Sequence, residues 1–124
     1  MNNVLNLIPK TEIEKSKLNE QIIRETAEQV IKDFGTFGME ISFPEDLNFA
    51  YDELFEQLKM IIFDLLQKNP SKLSALLYQI DVEEKKMRDN TPEIFSEHEW
   101  ITELILEREF LKVLTRHYFR SHKK

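Results

Sequence analysis

Hydrophobic side chains recur at spacings of three and four residues between Tyr51 and Leu66, which predicts a helix with one wide apolar face. The side chains on this face are Tyr51, Leu54, Phe55, Leu58, Ile61, Ile62, Leu65 and Leu66. We expect the helix to start after Pro44 and to end near Lys68, because the residue before Pro70 avoids helical backbone. A face this wide has to pack against other helices of the chain.

A first helix is predicted ahead of this central one. Thr11 and Glu14 have the spacing of a capping box, and Gly35 offers the left-handed residue that often closes a helix. The apolar stripe between them consists of Leu18, Ile22, Ile23, Ala27, Val30, Ile31 and Phe34. We therefore predict one continuous helix over residues 11–35, preceded by an N-terminal arm at residues 1–9.

Two more helices are predicted after the central one. Ser71 is a good N-cap for a third helix, which we expect to kink or restart at Asp81 because this side chain could cap a new turn. The last helix is predicted over residues 92–118. Together these patterns predict an all-α, four-helix bundle-like single domain over residues 1–124, with a kinked or short third helix.

An extended crossover is predicted between the first and second helices. Hydrophobic side chains alternate with small or polar ones at Phe37, Met39, Ile41 and Phe43, a period of two that is typical of extended backbone. Two interpretations stay open for this segment. Either its alternate side chains cover one end of the bundle, or it receives a ligand or a partner strand.

The second and fourth helices carry apolar residues on both of their faces. The residues opposite the main stripes are Phe49, Met60, Phe63, Leu106, Phe110 and Val113. Either these helices are the central pair of the bundle, or their second faces form an interface with a protein partner or another copy of the chain. The candidate interface comprises these six residues and the four alternating residues of the crossover.

Arg108 falls within the apolar arc of the fourth helix, between Ile105 and Leu111. A guanidinium in such a position needs a carboxylate, and Asp81 at the break in the third helix is the candidate for a bidentate pair. We predict a buried structural ion pair that fixes how the third helix meets the fourth. The alternative is a site for the anionic group of a ligand.

The net charge of −6 is unevenly distributed along the chain. Residues 112–124 lack acids and contain the basic residues Lys112, Arg116, Arg120, Lys123 and Lys124, which end in a basic tail at residues 119–124. Helix C-termini favour cations because of the helix dipole, and contact with nucleic acid or an anionic membrane is the alternative. The acidic body would repel a polyanion at long range, which argues against nucleic-acid binding.

The sequence offers few groups for catalysis or metal binding. The absence of cysteine excludes disulfides, thiolate metal sites and a cysteine nucleophile. His98, His117 and His122 do not follow a glutamate by three residues, the spacing that metal sites in helical bundles use. With no glycine-rich phosphate loop either, we expect no cofactor and no enzymatic activity.

The expected location follows from two sequence features. The first residues lack the basic start and the sustained apolar run of a signal peptide. Charges also interrupt each apolar stretch before it reaches the length needed to span a bilayer. These features predict a soluble, cytoplasmic protein.

Two stretches in the second half of the chain resemble a group of small, uncharacterised, all-helical bacterial proteins. They are Leu76-Leu77-Tyr78-Gln79-Ile80-Asp81-Val82, continued by Glu83-Glu84-Lys85-Lys86, and Ile105-Leu106-Glu107-Arg108-Glu109. In that group an arginine usually stands where this chain has Gln79. The resemblance implies no activity, cofactor or catalytic residue, but it does imply that residues 78–81 and Arg108 belong to one structural device.

These patterns favour a non-enzymatic module for protein–protein interaction or assembly, which binds a protein partner or self-associates. A homodimer is consistent with this interpretation. The alternative is a small regulator that contacts nucleic acid or an anionic membrane through the basic C-terminal segment.

Overall fold

The computed structural model describes residues 8–89 and 91–121, and this part of the chain is all-helical, with no strand. The predicted all-α class is therefore confirmed. The α-helices of the described residues are α1 (Lys10–Ser16), α2 (Glu20–Gly35), α3 (Ala50–Lys68), α4 (Pro70–Ile80), α5 (Glu84–Asp89) and α6 (Glu97–Ser121). None of them is both long and apolar enough to cross a membrane.

The predicted first helix is two helices, so the prediction of one continuous helix was wrong. The Asn19 side chain accepts a hydrogen bond from the Ile22 N–H at 3.0 Å and caps α2, which separates it from α1. Leu18 lies in the break and is 85% exposed. Thr11 caps nothing, because α1 begins at Lys10 without a side-chain cap.

The turn after α2 depends on Gly38 and not on Gly35 as predicted. Gly38 has a φ of +76°, a conformation that L side chains rarely adopt, whereas Gly35 is the last residue of the helix. The Met39 N–H donates to the Phe34 carbonyl at 3.0 Å across this turn. The turn directs the following segment back along the molecule towards α3.

The ends of α3 and α4 meet at Asn69. Pro70 stops α3 at Lys68, as predicted, and becomes the first residue of α4. The Asn69 side chain accepts a hydrogen bond from the Lys72 N–H at 3.1 Å, so Asn69 is the N-cap of α4 and the prediction of Ser71 was wrong.

Asp81 ends α4 and does not cap a new helix. Its φ of 73° is left-handed, and the Val82 N–H donates to the Leu77 carbonyl at 2.9 Å, which closes the helix in a Schellman motif. The helical path resumes at Glu84 as the short α5. The last helix starts at Glu97 and not at residue 92.

The core forms where α6 packs against α2 and α3. These two are the most extensive contacts between helices in the described part of the chain. Leu106, Phe110 and Val113 are buried in this packing, as is Ile41 of the crossover. These four residues were predicted as candidate interface, but other parts of the same chain cover most of each side chain. The second apolar face of α6 therefore reflects its central position.

Candidate functional site

A groove of about 360 Å³ opens between α1, α3 and α6. Its apolar lining consists of Ile13, Tyr51, Phe55, Trp100, Leu104, Leu106, Phe110 and Leu111. Its charged lining consists of Lys17, Asp52, Glu103 and Glu107. The volume lies within the range of known ligand pockets, and such pockets are also lined mainly by apolar and aromatic side chains.

The aromatic side chains of the groove are held in place by neighbours. The Trp100 indole N–H donates to the Lys86 carbonyl at 3.0 Å, and the Phe95 ring lies 5.5 Å from the indole. Tyr51 of α3 meets Phe110 of α6 edge to face at 6.3 Å. These contacts fix the positions of Trp100, Tyr51 and Phe110 in the groove lining.

The charged lining of the groove is predominantly acidic. Asp52, Glu103 and Glu107 are exposed, and Lys17 is the base among the lining residues. Partial burial raises the pKa of Glu103, the negative charge of Glu107 raises it further, and Lys17 opposes both effects. The groove therefore combines an apolar lining with excess negative charge.

A second cluster of chemical groups lies inside the molecule, between α2 and α6. The Lys112 ammonium is 3.0 Å from Asp33 Oδ2 and 2.7 Å from Glu109 Oε1. The Glu109 side chain is 0% exposed and that of Asp33 is 5% exposed. The Gln29 amide donates to both Asp33 oxygens at 3.2 Å. Two buried carboxyl groups thus share one partly buried cation.

The environment of this cluster separates the pKa values of its two acids. Burial raises the pKa of Glu109 to about 8, and the neighbouring Asp33 carboxyl adds to the rise, while Lys112 opposes it. Burial also raises the pKa of Asp33, but interactions with Glu109, Lys112 and Gln29 together lower it below its ordinary value. Near neutral pH, Glu109 therefore holds a proton while Asp33 and Lys112 form the ion pair.

The structure places Arg108 beside Asp81, with 3.1 Å between Arg108 Nη2 and Asp81 Oδ2. Arg108 Nε also donates to the Asp81 backbone carbonyl at 3.2 Å, so the contact joins α6 to the end of α4. The Asp81 side chain is 76% exposed, however, and the predicted burial of this pair was wrong. Glu109 occupies the buried position that the helical wheel had given to Arg108.

The predicted interface residues that stay on the surface are Phe43, Phe49, Met60 and Phe63. Phe49, Met60 and Phe63 recur along the outer side of α3, where Phe63 meets His98 edge to face at 5.0 Å. Phe37 and Met39 are partly buried against the core. These four exposed residues lie outside the groove lining.

The crossover between α2 and α3 is tied to α3 by its backbone. The Gln57 side chain accepts from the Ser42 N–H at 2.9 Å and donates to the Ser42 carbonyl at 3.0 Å. Glu53 accepts from the N–H groups of Glu45 and Asp46. These are the backbone groups that an added strand would need, which favours the covering role over strand addition.

The basic residues near the C-terminus contact α2. Besides Lys112 in the buried cluster, Arg116 donates to the Gln29 side-chain oxygen at 2.9 Å, and Arg120 lies 3.8 Å from Glu25. Lys123 and Lys124 lie outside the described residues. Lys112 is an internal partner of two acids, so its predicted role as a polyanion contact was wrong.

The groove and the buried cluster could not be identified from local patterns in the sequence. Glu109 did offer a signal, because Ile105 and Val113 stand four residues on either side of it, in the buried face of α6. Within the described residues, no cluster of three or more His, Cys, Asp or Glu side chains could hold a metal ion. Comparison of the chain with family models, curated proteins and solved structures gave no match.

Proposed function

We propose that this protein is a non-enzymatic interaction module that binds a protein partner in the groove between α1, α3 and α6. The observation that carries the proposal is the groove itself, a preformed cleft in which Trp100 and Phe55 remain partly exposed. Monomeric proteins rarely leave apolar side chains grouped at the surface unless something covers them. In this proposal α2, α3, α4 and α6 form a four-helix bundle that supports the walls of the groove.

The lining suits apolar side chains of a partner better than a small polar ligand. Sites for small molecules carry a few convergent polar groups that fix the orientation of the ligand. Here the polar lining groups are charged and exposed, and aromatic and aliphatic side chains make up the rest. A helix that inserts residues at spacings of three and four matches this arrangement.

Self-association through the outer side of α3 is the second candidate, because Phe49, Met60 and Phe63 are exposed there. Sedimentation of the wild type and of Met60→Ser tests it. A dimer that is weakened by the substitution would support this candidate, whereas a wild-type monomer at high concentration would exclude it.

The groove proposal is tested with a neutral amphipathic helical peptide made of leucine and glutamine. Trp100 is the only tryptophan of the chain and lines the groove, so its fluorescence reports binding directly. We expect Phe55→Ala to weaken binding by roughly tenfold, because truncation of a central aromatic contact costs more than about 1 kcal/mol.

Phe63→Ala is the matched control, since it removes the same side chain from the same helix outside the groove. It should bind the peptide as the wild type does. Circular dichroism establishes that both variants remain folded. Leu111→Ala is a second variant of the groove lining and should weaken binding as Phe55→Ala does. No fluorescence change and no heat of binding for the wild type would contradict the proposed function.

A further inference from the structure

We infer that the partner segment is a cationic amphipathic helix, whose apolar stripe fills the groove while its lysine or arginine side chains meet Asp52, Glu103 and Glu107. This inference rests on the proposed function, because it specifies the partner of the same groove. It is carried by the position and the pairing of these three acids.

Among the described residues the three acids of the groove form no ion pair, in contrast to two other acids of α3, although Lys17 also lines the groove and lowers the pKa of Glu103. On α3, Glu56 is 3.1 Å from Lys59 and Asp64 is 3.5 Å from Lys68. Among the described residues, Asp52, Glu103 and Glu107 form no ion pair. The groove thus carries negative charge that no ion pair within the described residues neutralises.

Glu103 and Glu107 also repel each other. They stand four residues apart on α6, which places two like charges one turn apart on the same side of the helix. The raised pKa of Glu103 reflects this repulsion in addition to partial burial. A cation bound between the two carboxylates would remove the repulsion, so the arrangement favours a positively charged partner.

The α6 wall of the groove is as long as a short helix. It runs from Trp100 to Leu111, which corresponds to about 16 Å or three turns at 1.5 Å per residue. Glu103 and Glu107 lie on this wall, and Asp52 lies on α3. Acids therefore occur on both of these helices of the groove, and a helix with basic residues beside its apolar stripe could meet them.

Charge also argues against a second copy of the chain as the occupant. The protein has a net charge of −6, and two acidic groove regions would repel each other. The basic residues Arg116 and Arg120 already contact α2. A basic segment of a different protein would instead be attracted to the groove, and its association would be faster at low salt.

The experiment compares three helical peptides with the same leucine stripe and with lysine, glutamine or glutamate at the polar positions. Binding is followed by Trp100 fluorescence. We expect the lysine peptide to bind about tenfold more tightly than the glutamine peptide, the size expected for two or three exposed ion pairs, and the gain should shrink as salt is added. The glutamate peptide should bind most weakly.

The double variant Glu103→Gln/Glu107→Gln should lose most of the preference for the lysine peptide over the glutamine peptide, because only Asp52 of the three acids remains. The control Glu40→Gln/Glu83→Gln changes the net charge by the same amount at exposed positions outside the groove lining and should keep the preference. Equal binding of all three peptides, an equal loss in the control, or a dimer that blocks the groove would overturn the inference. Failure of all three peptides to bind would instead contradict the proposed function.

Discussion

The buried carboxyl of Glu109 leads to a prediction about how stability depends on pH. In the folded protein its pKa is about 8, whereas a glutamate in the unfolded chain has its ordinary value of 4.5. Between these two values the folded state binds a proton that the unfolded state has released. The raised pKa therefore stabilises the folded protein fully below pH 4.5. This stabilisation is lost as the pH rises from 4.5 through about 8.

The size of this effect follows from the two pKa values. Stability falls by up to about 1.4 kcal/mol for each pH step across the window, which gives about 2.5 kcal/mol between pH 6 and pH 9. Asp33 does not contribute in this window, because its pKa is lowered in the folded protein. The stabilisation that it provides is lost only as the pH falls below 3.8, the ordinary pKa of an aspartate. The expected change is a large part of the 5–15 kcal/mol that stabilises a typical domain.

Glu109→Gln removes the titrating group while keeping its shape. We expect the variant to match or exceed the stability of the wild type at pH 9 and to lose most of the dependence between pH 6 and pH 9. Urea unfolding followed by far-ultraviolet circular dichroism measures the free energies. Glu107→Gln, which changes an exposed acid two residues away, is the control and should keep the wild-type slope.

The reasoning would be refuted if the wild type and Glu109→Gln showed parallel pH profiles. Such a result would mean that Glu109 is ionised in the folded protein at neutral pH, with Lys112 compensating both carboxylates. The comparison between variants matters more than either profile alone, because other groups titrate equally in both proteins.

Two further predictions concern stability and use the same urea assay. Gly38→Ala should lower the free energy of unfolding by about 1–2 kcal/mol, because alanine resists the left-handed φ. Gly35→Ala should be neutral or stabilising, since it adds a methyl group in open space at a helix end. Equal effects of the two substitutions would contradict the assigned turn. Lys112→Met should cost about 3 kcal/mol because Asp33 becomes a buried unpaired charge. Arg108→Ala should cost less than about 1 kcal/mol, since its partner is exposed; the opposite order would show that the outer pair is the more important one.

Helical class and the end of α3 could be predicted because both depend on local patterns. The apolar stripe of residues 51–66 and the proline after Asn69 act within a few residues of the chain. The choice between competing caps could not be predicted in the same way. Asn19 and Thr11 are both good capping residues, and the residue types alone do not say that only Asn19 caps a helix.

The candidate site depends on contacts between distant residues. Asp33 and Lys112 are far apart in the sequence, and no local pattern pairs them. A shift of one residue on a helical wheel corresponds to about 100°, which is why Arg108 was placed inside instead of Glu109. The groove has no sequence signal of its own, because it exists only where α1, α3 and α6 meet.

The central position of α6 has a consequence for how this protein could change during evolution. Between Ile101 and Leu114 the only exposed residues are Glu103 and Glu107, and every other side chain is buried or partly buried. We therefore expect substitutions between these residues to be tolerated mainly at Glu103 and Glu107, two of the three acids that line the groove. The charge preference that we propose for the groove could then change in evolution with little cost to folding, while the shape of the cleft would stay the same.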